Sequence, residues 1–526
     1  MRKSLAEREG ATEPAVGQLL AAALSRHDSR PALSIGGEVY TYRDLLRRTI
    51  DYQAFALRAG LVATDRVLFV AEPGLDFYAC LVAGTLGSYT VSVATPEPLA
   101  AASVNLARRL RSAMVIGDVP SEPSSAERPA LSIEQVKAGV HANLTVVDCR
   151  HAYLSLTSGT MGQPVSALVD GLALGRFVTW AASEFALTAA DRWFEAANPS
   201  SDLALTNALL AFCSGACLTT PLGRQRLRTA TLAALNGTTV MRIVPAAGEL
   251  MLAEASRRSA NLADLRLLAF GGDQLPAALP GRMLRATRSN ARTVNTYGMT
   301  EAAGFLLYHW FDAHHLAAGA AGATVPLGQP IPGVTARIDP WPGSSESETE
   351  EMAGVGELTI ESAAVALEIC TVAGKSPVSR KATAGAVAEL RTGDLVRHGS
   401  QGFTFCGRIG REVKIRGTRV NLAQLDRLVC DAIGQSACVV RHEDMLVALV
   451  ESEAPITTLG LAKSIGAAAG SSVLPQRVIT VSQLPRTRTG KVSVAGCQEI
   501  ARRQLNPPSQ HPHTRKVGCG ESHAGA

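Results

Sequence analysis

Short apolar runs that read as buried strands alternate with segments whose apolar residues recur at helical spacing, and this alternation narrows the fold more than any other feature. The stretch "YTYRDLLRRTIDYQAFALRAG", starting at Tyr40, repeats apolar side chains with the period of a helix. "DRVLFVA", from Asp65, is a short strand closed by the turn-like "EPG". "FYACLVAGTLGSYTVSV", from Phe77, gives a helix, a glycine stop and another strand, and the style continues through "ACLTT", "TVMRIVP" and "RLLAFGG". Strands that are apolar throughout need cover on both faces. The pattern therefore predicts an α/β chain with a mostly parallel sheet and helices packed over it. With 526 residues, of which 46% are hydrophobic and 18% charged, the chain has material for several domains and a large core.

The style changes near Val325. "VPLGQPIPGVTARIDPWPG" and "GVGELTIES" read as strands joined by Pro/Gly turns, a small β-rich subdomain, with the acidic "GSSESETEEMAG" between them as a loop. After "FCGRIGREVKIRG" come "NLAQLDRLVCDAI", "ACVVRHEDMLVALVES" and "RVITVSQLP", a compact α+β module. Residues 1–13 are polar and read as a flexible N-terminus, and residues 506–526 as a disordered tail.

A net charge of +5 without a basic block argues against a nucleic-acid surface. The ten cysteines show no metal-ligand spacing and read as buried free thiols. No run has the length and apolarity of a bilayer span, and "MRKSLAEREGATEP" lacks the apolar core of a signal peptide. The expectation is a cytoplasmic chain with neither nucleic acid nor membrane as partner.

"LSLTSGTMGQPVSALV", from Leu154, places hydroxyls and glycines between two apolar segments. Small residues bring backbone N–H groups close to a ligand and hydroxyls add donors, a combination suited to phosphate oxygens, although a polar turn has the same composition. The Gly-Lys-Ser/Thr ending of a Walker loop is absent. Four later stretches follow in order: "NTYGMTEAAG" from Asn295, "RTGDLV" from Arg391, "GRIGREVKIRGTRV" from Gly407 and "LPRTRTGK" ending at Lys491.

Together the five stretches resemble the adenylate-forming superfamily of acyl-CoA synthetases, peptide-synthetase adenylation domains and firefly-type luciferases, from about Tyr40 to Lys491 and including "AFGGD" and "GVGELTI". The resemblance implies a large N-terminal adenylate-forming domain, residues 14–409, of α/β subdomains plus the small β-rich one. A small mobile α+β C-terminal domain, residues 410–505, follows. It also implies two-step chemistry. A carboxylate attacks the α-phosphate of ATP, giving an acyl-adenylate and pyrophosphate. A phosphopantetheine thiol, of CoA or of a carrier protein acting in trans, then takes the acyl group.

By the same resemblance, Thr157, Ser158, Gly159, Thr160 and Gly162 would cradle the departing phosphates. Glu301 would hold Mg2+ and Thr300 would donate to phosphate; Tyr297 would lie against adenine beside Gly271, Gly272 and Asp273. Asp394 would take the ribose hydroxyls with support from Arg408, and Lys491 would be the catalytic cation. Outside this set, Glu301 would read as a helix-start carboxylate, Asp394 as a turn former and Lys491 as a surface lysine.

The sequence departs from the family pattern in places. Val165 stands where lysine is common in the phosphate loop and Ser166 where glycine is common, so slower adenylation or weaker ATP binding is expected, with Arg176 as a candidate replacement charge. Gly410 occupies the hinge position usually held by aspartate or lysine, and Ser362 replaces a glycine. For the acid, Asp202 aligns with the aspartate that pairs with the α-ammonium in amino-acid-activating domains; a helix N-cap is the competing reading. Leu203, Thr206, Phe270, Thr296, Gly304 and Phe305 would complete a mainly apolar wall suited to a hydrophobic amino acid or an aryl acid. Residues around Lys414 to Gly417 would shape the thiol tunnel without deciding between CoA and a carrier. The competing functions are a non-catalytic nucleotide-binding homologue, favoured by Val165 and Gly410, and more distantly a luciferase-like oxygenase.

Overall fold

The structure, a computed structural model, describes residues 13–96, 110–117, 130–137, 143–147, 150–156, 166–221, 237–258, 262–287, 289–312, 325–340, 354–370, 378–379, 386–409, 411–415, 418–443, 445–466, 474–487 and 491–505. The chain divides into two compact units. The larger runs to Glu412 and also takes in Asn421–Gln424 and Arg486–Lys491; the smaller comprises Val413–Val420, Leu425–Pro485 and the chain from Val492.

The expected parallel strands form the centre of the larger unit. Arg292–Tyr297, Leu267–Gly271, Val240–Ile243, Arg192–Phe194, Cys217–Thr220 and Pro31–Ile35 lie side by side, each parallel to its neighbour. Glu38–Thr41 closes one edge antiparallel. A second parallel sheet has the order Thr90–Ala94, Arg66–Val70, Met114–Gly117 and Ala130–Leu131. The apolar runs are fully used: Val67, Leu68, Phe69, Val91, Leu267 and Leu268 are buried.

The helix Tyr42–Arg58 starts where chemistry dictates. The Thr41 N–H donates to the Asp44 carboxylate at 2.8 Å and the Asp44 N–H donates to the Thr41 hydroxyl at 3.2 Å, a reciprocal cap. Its apolar face brings Tyr42, Leu45, Tyr52 and Phe55 into the main core. In the second parallel sheet, Gly117 sits opposite Val70 with φ +121°, and a Cβ there would lie 1.9 Å from the Val70 carbonyl oxygen. Gly117→Ala is therefore expected to destabilise the larger unit by about 1–3 kcal/mol. The measurement is a urea midpoint that falls at unchanged slope.

The β-rich segment is present, and it continues the main sheet instead of standing apart. Leu307–Trp310 pairs antiparallel with Arg292–Tyr297 and then with Pro326–Pro330, through Leu307↔Pro330 and Tyr308↔Gln329. The ribbon goes on through Gly402–Arg408, Ala388–Gly399, Val355–Ser362 and Val334–Asp339. Ser362, in place of a family glycine, is buried and donates its hydroxyl to the Gly333 carbonyl at 2.8 Å.

The smaller unit has a sheet of Ala437–His442, Met445–Glu451 and Arg477–Val481, the first pair antiparallel and the second parallel. Val440, Leu449, Ile479, Leu484 and Cys497 form its core, the last from the helix Val494–Leu505. Among the described residues, Cys80, Cys213, Cys217, Cys406, Cys430, Cys438 and Cys497 take part in no disulfide. No described helix is long and apolar enough to cross a membrane.

Candidate active site

In a parallel sheet the carboxyl ends of the strands share one rim, where ligands bind. Here Leu267–Gly271 and Arg292–Tyr297 run in register, Gly271 opposite Thr296, so two of the expected site segments meet by strand pairing alone. The approach is close: a Cβ on Gly271 would lie 2.5 Å from the Thr296 hydroxyl oxygen. That hydroxyl donates to the Phe270 carbonyl at 2.7 Å. Asp273, just beyond, accepts from the Gln274 N–H at 2.8 Å.

Asp394 comes from the β-rich ribbon and is 7% exposed. The Tyr297 hydroxyl donates to its Oδ2 at 2.7 Å, and Arg408 Nε lies 3.4 Å from Oδ1. Strand pairing brings the arginine there, because Asp394 sits opposite Arg408 across the ladder. Burial raises the Asp394 carboxyl above the usual range, while Arg408, the Tyr297 hydroxyl and Lys491 pull it back down. Desolvation, reinforced by Asp394, pushes the Tyr297 phenol well up. Lys491 therefore stands within electrostatic reach of Asp394. Its carbonyl accepts the Thr487 N–H at 2.6 Å.

Glu301 belongs to the same cluster. Burial raises its carboxyl; Asp202 and Asp394 add to the rise, and its own backbone N–H and Arg408 oppose it. Its carbonyl accepts the Ala366 N–H at 2.9 Å, pinning the segment to the neighbouring strand bridge. Thr300 beside it is buried.

Asp202 is the first residue of the helix Asp202–Cys213, and it is not the cap. Ser201 caps instead, its hydroxyl accepting the Ala204 N–H at 3.3 Å. Asp202 borders a cavity of about 30 Å3 with Leu203, Thr206, Arg242, Gly272, Gly298 and Gly304. Thr206 donates to the Asp202 carbonyl at 2.7 Å and shares a 3.3 Å hydroxyl contact with Tyr153. Of the other expected wall residues, Phe270 and Phe305 are fully buried. Phe305 packs edge-on to Phe177 at 5.0 Å. Gly304 has φ +75°, and a Cβ there would strike the Phe177 ring at 2.7 Å.

Two lining residues, Gly298 and Arg242, were not expected from the sequence, and of these Arg242 brings a charge. Its signal was visible as a lone charge inside the apolar strand "TVMRIVP". The apolar pocket expected from sequence thus carries a guanidinium as well as a carboxylate. A larger cleft of about 250 Å3, lined by Arg30, Ser34, Asp191 and Cys217 among others, shares none of these residues.

The phosphate-loop residues Thr157, Ser158, Gly159, Thr160, Gly162 and Val165 lie outside the described residues, as do Gly410 and Gly417. The loop's flanks are clear: His151–Leu156 and Ser166–Asp170 form an antiparallel pair closed at Leu156↔Ser166. Ser166 is the first, buried residue of the returning strand. Arg176, the candidate replacement charge, is ion-paired with Glu13.

The family model described as AMP-binding enzyme matches residues 20–369. The chain belongs to that family. The chain is 27% identical over 515 residues to the isonitrile lipopeptide synthase of Streptomyces coeruleorubidus, a match covering 92% of this chain and 33% of that protein. It is 28% identical over 395 residues to novobiocin biosynthesis protein H of Streptomyces niveus, covering 70% of this chain and 60% of that protein. It therefore spans about a third of the first relative and less than two thirds of the second. Its fold is that of Klebsiella oxytoca NpsA, solved in complex with 3-hydroxyanthranilyl-AMSN: TM-score 0.78 at 20% identity, over 93% of this chain and 99% of that one.

Proposed function

We propose that the chain activates a small carboxylic acid with ATP, forming an acyl-adenylate and pyrophosphate, and passes the acyl group to a phosphopantetheine thiol of CoA or of a carrier protein acting in trans. The observation that carries this reading is the Asp394 carboxylate, gripped by Tyr297 and Arg408 and felt electrostatically by Glu301 and Lys491. A carboxylate with four lone-pair sites can keep both protein contacts and still accept two vicinal ribose hydroxyls. That contact would set the α-phosphate between Lys491 and the acid. Lys491 would neutralise charge growing on the phosphorane and on the attacking carboxylate oxygen.

Glu301 fits Mg2+, which takes hard oxygens and commonly one or two carboxylates beside substrate phosphates. The described residues hold no cluster of three or more potential ligands, so phosphate and water oxygens would complete the shell. Magnesium would supply charge neutralisation at the departing pyrophosphate. Asp202, relieved of capping by Ser201, would anchor the ammonium of an amino-bearing acid. A carrier-protein acceptor is supported by the first relative being a much longer synthase, of which this chain spans 33%. The test is acid-dependent pyrophosphate release across amino, aryl and fatty acids. Release that needs one class of acid supports the proposal. ATP binding without release for any acid supports the nucleotide-binding alternative.

A further inference from the structure

Arg242 has no role in the chemistry just described, yet its placement is costly. It rises from the middle of the parallel strand Val240–Ile243, is 5% exposed, and borders the same small cavity as Asp202. Burial brings the guanidinium down to about 10, only partly offset by the fields of Asp202 and Glu195. A buried cation is normally matched by a carboxylate in direct contact. Here, among the described residues, no carboxylate lies within ion-pair distance of Arg242.

Its hydrogen bonds are long and to neutral groups. Nε reaches the Thr296 hydroxyl at 3.4 Å and Nη1 the Asn207 amide oxygen at 3.3 Å. The Phe305 ring lies 5.1 Å from the guanidinium carbon. Glu195, the obvious partner, is engaged elsewhere: one oxygen accepts the Ala197 N–H at 2.6 Å and the other the Asn207 amide at 2.9 Å. Asn207 therefore bridges the two charges, orienting the guanidinium without neutralising it. Nη2 has no hydrogen bond among the described residues. It lies near Gly271, 3.8 Å from where a Cβ on that glycine would be.

One carboxylate, Asp202, and one under-used guanidinium, Arg242, thus border the same cavity. We propose that the acid activated here carries an amino group and a second, distal carboxylate on a short chain, an aspartate-sized amino dicarboxylic acid, with Asp202 holding the ammonium and Arg242 the distal carboxylate. This rests on the proposed adenylation, and it names the substrate class for that site. The planar fork of arginine matches a carboxylate with two parallel N–H donors. A carboxamide of the same shape would leave the cation unpaired, and a fatty or aryl chain would bury it against apolar atoms. The third group, the reacting carboxylate, is then left for the nucleotide.

The test compares L-aspartate, L-asparagine, L-leucine and benzoate as acids for ATP–pyrophosphate exchange by the full chain. Wild type is expected to prefer aspartate to asparagine by about a hundredfold in kcat/KM, the scale of a lost charge-assisted contact. Arg242→Met should lose about that factor for aspartate and little for asparagine, while Arg242→Lys keeps part of the preference. Equal rates with aspartate and asparagine, or exchange only with leucine or benzoate, would overturn the assignment while leaving adenylation standing. If Arg242→Met fails to fold, the wild-type comparison decides alone. If no acid drives exchange, adenylation itself falls, and calorimetry decides the assignment. Aspartate binding that exceeds asparagine binding and weakens in Arg242→Lys sustains it; absent or equal binding ends it.

Discussion

Lys491→Ala is expected to lower acid-dependent adenylation by about a hundredfold or more while leaving ATP binding largely intact. Only a contact that strengthens as charge develops in the transition state lowers the barrier. Lys491 is partly exposed, and its backbone is held by the Thr487 hydrogen bond, which a side-chain truncation does not touch. The folded state should therefore survive, and kcat should fall with little change in the KM for ATP. A variant with wild-type kcat would show that the lysine is only a surface charge. Comparable losses in kcat and ATP affinity would instead make it a ground-state contact.

The second large effect is expected at Asp394. Asp394→Ala removes the acceptor of the Tyr297 hydroxyl and the partner of Arg408 together with the proposed ribose contact. Hydrogen bonds to a charged group are worth about 1.5–3 kcal/mol each, so losing two should raise the KM for ATP by about a hundredfold or more. Asp394→Asn separates binding from stability. Burial raises the wild-type carboxyl, so ionising it costs stability, and that cost develops as pH rises from the ordinary carboxylate range through the elevated value. Below that range the protonated wild type and the asparagine variant should be alike. At neutral pH the variant should be at least as stable as wild type while still binding ATP poorly. Denaturation midpoints at acidic and neutral pH check the sign. A variant clearly less stable at neutral pH would mean that the Arg408 and Tyr297 contacts outweigh the desolvation.

The parts of the fold legible in sequence are those where one local pattern has one meaning. "DRVLFVA" and "RLLAFGG" are apolar on both faces and become interior parallel strands; Thr41 and Asp44 announce their helix start. The continuity of the β-rich ribbon with the main sheet was hidden, because Tyr308↔Gln329 is a long-range pairing that no local pattern encodes. At the site, the ordered motifs pointed to Tyr297, Glu301, Asp394 and Lys491, which the structure gathers around Asp394. Asp202 was ambiguous because a serine–aspartate pair at a helix start serves capping and binding equally well, and only the Ser201 hydrogen bond separates the roles. Arg242 was overlooked for a different reason. A charge in an apolar strand means little until the neighbouring chain segments show that no carboxylate meets it.

The most direct test of the central claim is incorporation of labelled pyrophosphate into ATP by the wild-type chain, with and without acid. Exchange requires reversible formation of an acyl-adenylate, which neither simple ATP hydrolysis nor nucleotide binding can mimic. Acid-dependent exchange that disappears in Lys491→Ala is expected. Nucleotide binding with no exchange for any acid would contradict it, leaving Asp394 and Tyr297 as a nucleotide grip without adenylation.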